Sequence, residues 1–327
     1  MTPDEAAAEV RRIEITTRHL VRDIVAGEYA SAFRGRGVEF AEVREYQPGD
    51  DIRSIDWNVT ARLGAAYVKR HLEERELTVM FAVDYSASGR FGSRRRAKAD
   101  TGLEVAAVLA LAAARSNDRI GALCFTDRAE RYIPPRKGRR HALRVVSELL
   151  AYDPAGRRTD LDASLGWLDS VLRRRSVLFI LSDFMSEGWG GALDRLARRH
   201  DVVAVRLTDP RERSLPDAGL AAMADPETGA WTWVDTSSAA VRAHFASAAA
   251  AFDQEVEREL RRRGADLLPL DTTEPYGEAL VAFFRRRELR KGGQAGAGRS
   301  AGPAGAGRST DPAGAGRSAG GGWSSGR

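Results

Sequence analysis

The sequence predicts an α/β fold: a doubly wound, mostly parallel sheet, with a β-rich N-terminal sub-domain before it and a disordered C-terminal tail after it. Three observations carry this. Short continuous apolar runs recur from residue 77 onward, helix-length amphipathic segments separate them, and a glycine-rich repeat closes the chain. Strands buried on both faces read as unbroken apolar runs, because helices cover both sides of a parallel sheet. Strict alternation of strand and helix selects the doubly wound form.

The elements follow in chain order. Residues 1–27 read as one helix: Thr2 is a candidate cap, Pro3 suits the first turn, and Asp4 and Glu5 favour the positive end of the dipole. Val10, Ile13, Leu20, Val21 and Ile24 then recur at helical spacing up to Gly27. Residues 28–76 read as short strands. Phe40 and Tyr46 flank an alternating segment, Pro48-Gly49-Asp50 signals a turn, and Ile55, Trp57 and Val59 alternate again. Arg44, Arg53, Arg62 and Arg70, interleaved with Asp50, Asp51, Asp56, Glu73 and Glu74, suggest a semi-buried ionic lattice beside Trp57.

Residues 77–290 carry the main domain. Runs at 79–83, 120–125, 177–181 and 202–205 are the predicted strands, with a last one at 266–270. Helices are expected near 97–115, 138–151, 160–174, 189–200 and 238–263, and from Tyr276. Residues 291–327 contain the nonapeptide opening Ala-Gly-Ala-Gly-Arg-Ser three times, with almost nothing to bury, and read as a flexible, weakly basic extension.

Composition excludes several classes. The most apolar stretch, 103–114, spans 12 residues and ends at Arg115, short of the roughly 20 that a membrane helix needs. The start lacks the basic-then-apolar order of a secretory leader. The single cysteine, Cys124, allows neither a disulfide framework nor a cysteine zinc cluster. A cytoplasmic protein is expected. The net charge is +5, but Lys291, Arg299, Arg308, Arg317 and Arg327 against Asp311 place +4 of it in the tail, leaving +1 on residues 1–290. A domain so nearly neutral is not steered to nucleic acid by its net charge.

Ligands of doubly wound sheets bind outside the carboxyl ends of the strands, where strand order reverses. Two apolar runs end there in acid-and-hydroxyl clusters, Asp84-Tyr85-Ser86-Ala87-Ser88 and Ser182-Asp183, and Thr159 lies before a helix that starts near Asp160. Alternate residues 84, 86 and 88 converge on one point if the chain curls over the strand end. Every candidate group is an oxygen, and hard oxygen donors suit Mg2+, Mn2+ or Ca2+ rather than zinc. The plainer alternative is that Asp84 and Asp183 merely cap helices.

Asp84, Ser86, Ser88, Thr159 and Asp183 resemble the metal-ion-dependent adhesion site of von Willebrand factor type A domains: Asp-x-Ser-x-Ser, then Thr, then Asp. The resemblance implies direct ligation of Mg2+ (or Mn2+/Ca2+) by Ser86, Ser88 and Thr159, with Asp84 and Asp183 acting mainly through water. It also implies an open coordination position that an acidic residue of a partner fills. Thr159 follows Arg157-Arg158 where relatives have two glycines. Upstream, Gly35-Arg36-Gly37-Val38-Glu39-Phe40, Arg44-Glu45-Tyr46, Pro48-Gly49-Asp50-Asp51-Ile52-Arg53, Ile55-Asp56-Trp57-Asn58 and Ala61-Arg62 resemble the bacterial domain-of-unknown-function family 58. Its members join such a segment to a type A-like domain, and the likeness spans about residues 28–285. Membership implies a cytoplasmic adaptor that works with a MoxR-type AAA+ ATPase on an unidentified protein client, in assembly or remodelling of complexes.

Two rival classes are weaker. A metal-dependent phosphohydrolase could use Asp84 as a nucleophile, but no histidine lies near 84, 159 or 183, and phosphate-loop and Gly-x-Ser-x-Gly motifs are missing. A nucleic-acid-binding protein would need a basic face bearing aromatics. The arginine triplets at 94–96, 173–175, 261–263 and 285–287 are balanced by acids elsewhere, which leaves only the tail. The chain is therefore expected not to be an enzyme.

Overall fold

The computed structural model describes residues 3–23, 32–33, 42–47, 50–52, 55–70, 76–94 and 96–297. At the start, α1 (Pro3–Thr16) and α2 (Arg18–Asp23) replace the single expected helix. The interruption has a local cause. Thr16 donates its hydroxyl to the Arg12 carbonyl (2.8 Å) and Thr17 to that of Ile13 (2.5 Å), and such back-bonding bends a helix. Thr2, Ile24 and Gly27 lie outside the described residues.

In the signature segment, β1 (Glu42–Glu45) and β2 (Tyr67–Arg70) form an antiparallel pair. Between them runs α3 (Trp57–Leu63), where alternating strand was expected. Asp56 explains the difference: its side chain accepts from the Val59 amide (3.3 Å) and its carbonyl from the Thr60 amide (2.9 Å), the signature of a helix cap. Trp57 is 67% exposed rather than semi-buried. The side chains of Arg44, Arg53, Arg70, Glu73 and Glu74 lie outside the described residues.

The main domain is built on six strands: β3 (Thr78–Asp84), β4 (Arg119–Phe125), β5 (Ala129–Arg136), β6 (Val177–Ser182), β7 (Asp201–Thr208) and, after a separate hairpin, β10 (Asp266–Asp271). Their order is β10-β7-β6-β3-β4-β5, and every pairing is parallel except β4 with β5. Alternate β3 residues serve opposite cores. Val79, Phe81 and Val83 meet α1, α4 (Lys98–Arg115), α5 (Arg139–Ala151) and α10 (Tyr276–Ala297), while Met80 and Ala82 meet α6 (Leu161–Val171), α7 (Gly190–Arg199) and α9 (Ala239–Arg262). This is the doubly wound, mostly parallel sheet that the apolar runs predict.

Four features were not anticipated. β5 is an antiparallel edge strand whose half-exposed sequence, with Pro134 and Pro135, gives no continuous apolar run. The short helix α8 (Pro210–Arg213) follows β7, and β8 (Leu220–Ala224) pairs with β9 (Trp231–Asp235) in a hairpin apart from the main sheet. Finally, α10 continues past residue 290 to Ala297, so residues 291–297 are helical where the tail was expected. The rest of the tail lies outside the described residues. None of the described helices is long and apolar enough to cross a membrane.

Candidate functional site

From β3 the chain proceeds outward through β4 to β5, and from β6 outward through β7 to β10, so strand order reverses between β3 and β6. The carboxyl ends of these two strands deliver Asp84 and Ser182-Asp183 side by side. Beyond Asp84 the chain turns sharply. The Ser86 amide donates to Asp84 Oδ1 (2.9 Å), the Gly89 amide to the Ser86 carbonyl (3.2 Å), and a single 3-10 turn covers Ala87–Arg90. Tyr85 points away, its hydroxyl on the Leu149 carbonyl (2.5 Å). Ser86 Oγ and Ser88 Oγ thereby come to 3.0 Å from each other, both buried. Asp84, Ser86, Ser88, Lys98, Ser182 and Asp183 line one pocket.

The electrostatics centre on the two aspartates. Burial raises the Asp84 pKa to about 7, with the negative charge of Asp183 adding to it, against hydrogen bonds from Ser182 and Ser86 that lower it. Ser182 Oγ donates to Asp84 Oδ2 at 2.6 Å. Asp183 accepts from the Met185 amide at Oδ1 (3.1 Å) and from the Lys98 ammonium at Oδ2 (2.6 Å). Lys98, in the first turn of α4 and 1% exposed, also reaches Glu212 Oε1 on α8 (2.5 Å). Burial disfavours its charge, but the carboxylates of Asp183 and Glu212 outweigh burial and raise its pKa.

Thr159 lies on the neighbouring loop and is not among the pocket's lining residues. The Ala87 amide donates to the Arg157 carbonyl (2.8 Å), which seats the 157–159 loop beside the serine turn. There the Thr159 hydroxyl and amide donate to the two carboxylate oxygens of Glu227, at 2.7 and 3.1 Å. Asp160 caps α6 through the Ala163 amide (2.8 Å). Four of the five expected residues therefore share one pocket, and the fifth faces a carboxylate from the β8–β9 turn.

The family model described as "Protein of unknown function DUF58" matches residues 42–255. The chain belongs to the DUF58 family. Similar relatives include uncharacterized proteins of Mycobacterium bovis and Mycobacterium tuberculosis. Each is 36% identical over 294 residues, covering 89% of this chain and 92% of theirs. Among solved structures, the conserved hypothetical protein BatB from Bacteroides thetaiotaomicron is similar at 13% identity and a TM-score of 0.45, over 65% of this chain and 99% of that one. The SpRpn10 VWA domain is similar at 11% identity and a TM-score of 0.34, over 63% and 94%.

Three residues of this DUF58 protein's site escaped sequence reasoning: Lys98, Glu212 and Glu227. Lys98 lies at the start of α4, 85 positions from Asp183 in sequence, so no local pattern marked it. Glu212 and Glu227 sit on elements without an apolar run, so no pattern marked them.

Proposed function

We propose that this DUF58 protein is a non-enzymatic, cytoplasmic adaptor that captures an acidic residue of a partner protein through a divalent cation, and that it works with a MoxR-type AAA+ ATPase in assembling or remodelling complexes. The observation that carries this reading is the convergence of Asp84, Ser86, Ser88 and Asp183 on one pocket at the switch point. The donor set fits a small hard cation. Adjacent oxygens of an octahedral shell with bonds of about 2.0–2.1 Å lie about 2.9 Å apart, close to the 3.0 Å between the two serine oxygens. Asp84, Asp183 and Glu212 together with Lys98 leave two uncompensated negative charges when all are ionised, which Mg2+ (or Mn2+/Ca2+) offsets. Among the described residues no group of three or more His, Cys, Asp or Glu is placed to hold a metal, so hydroxyls have to contribute.

In this reading Ser86, Ser88 and Thr159 would hold the ion and Asp84 and Asp183 its water, with Thr159 giving up its bond to Glu227. When bound, the ion supplies a positive, partly open coordination shell. The protein's own work is to orient: Ser182 fixes one oxygen of Asp84, and the Ser86 amide fixes the other. Burial and the charge of Asp183, which disfavour the ionised carboxyl, weigh against Asp84 as a phosphorus nucleophile.

The test is Mn2+ binding followed by paramagnetic resonance. Wild type is expected to bind, and Asp84→Ala to lose binding at least tenfold while its circular dichroism is unchanged. Equal binding by the variant sinks the metal mechanism. Recovery of an AAA+ ATPase on the wild-type chain in Mg2+, and its loss in chelator, tests the partner.

A further inference from the structure

We infer that Glu227 occupies, in the free chain, the place where a partner's carboxylate docks, so that the β8–β9 turn is the protein's own competitor for that surface. The inference rests on the proposed reading that this mouth receives an acid. Its evidence lies at Thr159, the one expected donor that does not line the pocket. Both oxygens of Glu227 are engaged by one residue, with the Thr159 hydroxyl at 2.7 Å and its amide at 3.1 Å. An Arg157 Nη also donates to the carbonyl of Pro226 (3.3 Å), so the turn is gripped at two consecutive residues. That grip lies against the serine turn, through the bond from the Ala87 amide to the Arg157 carbonyl.

The turn is shaped to present this one side chain. Asp225 organises it: its Oδ1 accepts from the Glu227 amide (2.9 Å), its Oδ2 from the Thr228 hydroxyl (2.5 Å), and its carbonyl from the Gly229 amide (2.8 Å). Gly229 takes a φ of +75° that closes the loop. Every residue from Ala224 to Ala230 is exposed except Glu227, which is half-buried. A solvent-facing turn that sends in only its glutamate, onto a loop carrying exposed Arg157 and Arg158, defines what this surface accepts: a carboxylate held on a tight turn. The hairpin pairs only with itself, since β8 and β9 form a separate two-stranded sheet, so it can swing away without breaking the main sheet. A partner that brings a turn-borne Asp or Glu replaces Glu227 at Thr159 and frees the hairpin.

A tethered ligand competes at an effective concentration on the order of millimolar, so removing it should unmask binding. The probe is a labelled hexapeptide with the turn's own sequence, Asp-Pro-Glu-Thr-Gly-Ala, followed by fluorescence anisotropy with the full chain in Mg2+. Glu227→Ala is expected to bind it about tenfold more tightly than wild type, Glu227→Gln by an intermediate factor, and a probe with alanine for its glutamate not at all. Unchanged amide exchange in β3 and β6 confirms that the variants are folded. Equal binding by wild type and variants, no binding by any, or equal binding of the alanine probe overturns the inference. If the variant gains affinity equally in Mg2+ and in chelator, the self-contact stands and the metal part of the proposed function fails.

Discussion

Lys98 is the residue on which the candidate site turns. It is buried between Asp183 and Glu212 in a pocket that also holds Asp84, so its charge holds those two carboxylates together. Removing one partner of a buried ion pair leaves uncompensated charge and typically costs about 3–5 kcal/mol. Lys98→Met is expected to destabilise by that amount in urea unfolding, and added Mg2+ to restore part of it. A loss below about 1 kcal/mol would mean that water reaches the niche and screens the pair. At this scale the site was half legible. Asp84, Ser86, Ser88 and Asp183 stand in an order that depends only on two strand ends meeting, which apolar runs disclose. Lys98, Glu212 and Glu227 reach their partners across more than sixty positions of chain, and nothing local in a sequence encodes such a meeting.

Among the elements, the segment from β5 to α6 shows how a loop is held ready. Glu130 on β5 collects donors from the Thr126 hydroxyl, the Tyr152 hydroxyl (2.6 Å) and the amides of Ala155 and Gly156 (both 2.8 Å). Burial pushes its carboxyl up, but these hydrogen bonds outweigh burial and hold the pKa down to about 2. A depressed carboxyl stabilises the fold above the ordinary glutamate range, and the contribution is lost as pH falls toward about 2. Glu130→Gln is expected to cost on the order of 1–2 kcal/mol at neutral pH, since charged hydrogen bonds contribute more than this when fully buried and partial exposure reduces it. The variant's stability should also fall less steeply than wild type's between about pH 4.5 and 2; parallel acid limbs would refute the assignment. Glu130 anchors the start of the loop that ends at Thr159, so the variant should loosen amide exchange there too. Element type was readable where runs are long, as in β3 and α4. It failed at Ile55, Trp57 and Val59, because three alternating residues do not separate a period of 2 from one of 3.6 and the capping role of Asp56 decides instead.

Across the whole molecule, Arg287 ties Ala32-Phe33, ahead of the main domain, to the sheet. Only 2% exposed, it pairs with Asp201 and Asp266 at the starts of β7 and β10, donates to the Ala32 carbonyl (3.2 Å) and lies 4.6 Å over the Phe33 ring. Arg287→Met should destabilise by about 3 kcal/mol, the lower end for a broken buried pair, because Arg290 remains on Asp266. It should also speed amide exchange in α1, which shares the core of α10; unchanged exchange would show that the N-terminal segment is held elsewhere. The doubly wound class was legible because it follows from alternation alone, whereas the antiparallel β5 and the β8–β9 hairpin were not, since their faces are half wet.

Both margins of the main sheet carry proline: Pro134 and Pro135 in β5, and Pro269 in β10. Proline lacks an amide hydrogen and so interrupts any ladder that an incoming strand would try to build. Fibril-like stacking of copies through these margins is thereby discouraged, and a second polypeptide gains little by lengthening the sheet. On the proposed reading, recognition falls to side chains at the loop end, where chemistry rather than backbone complementarity chooses the companion.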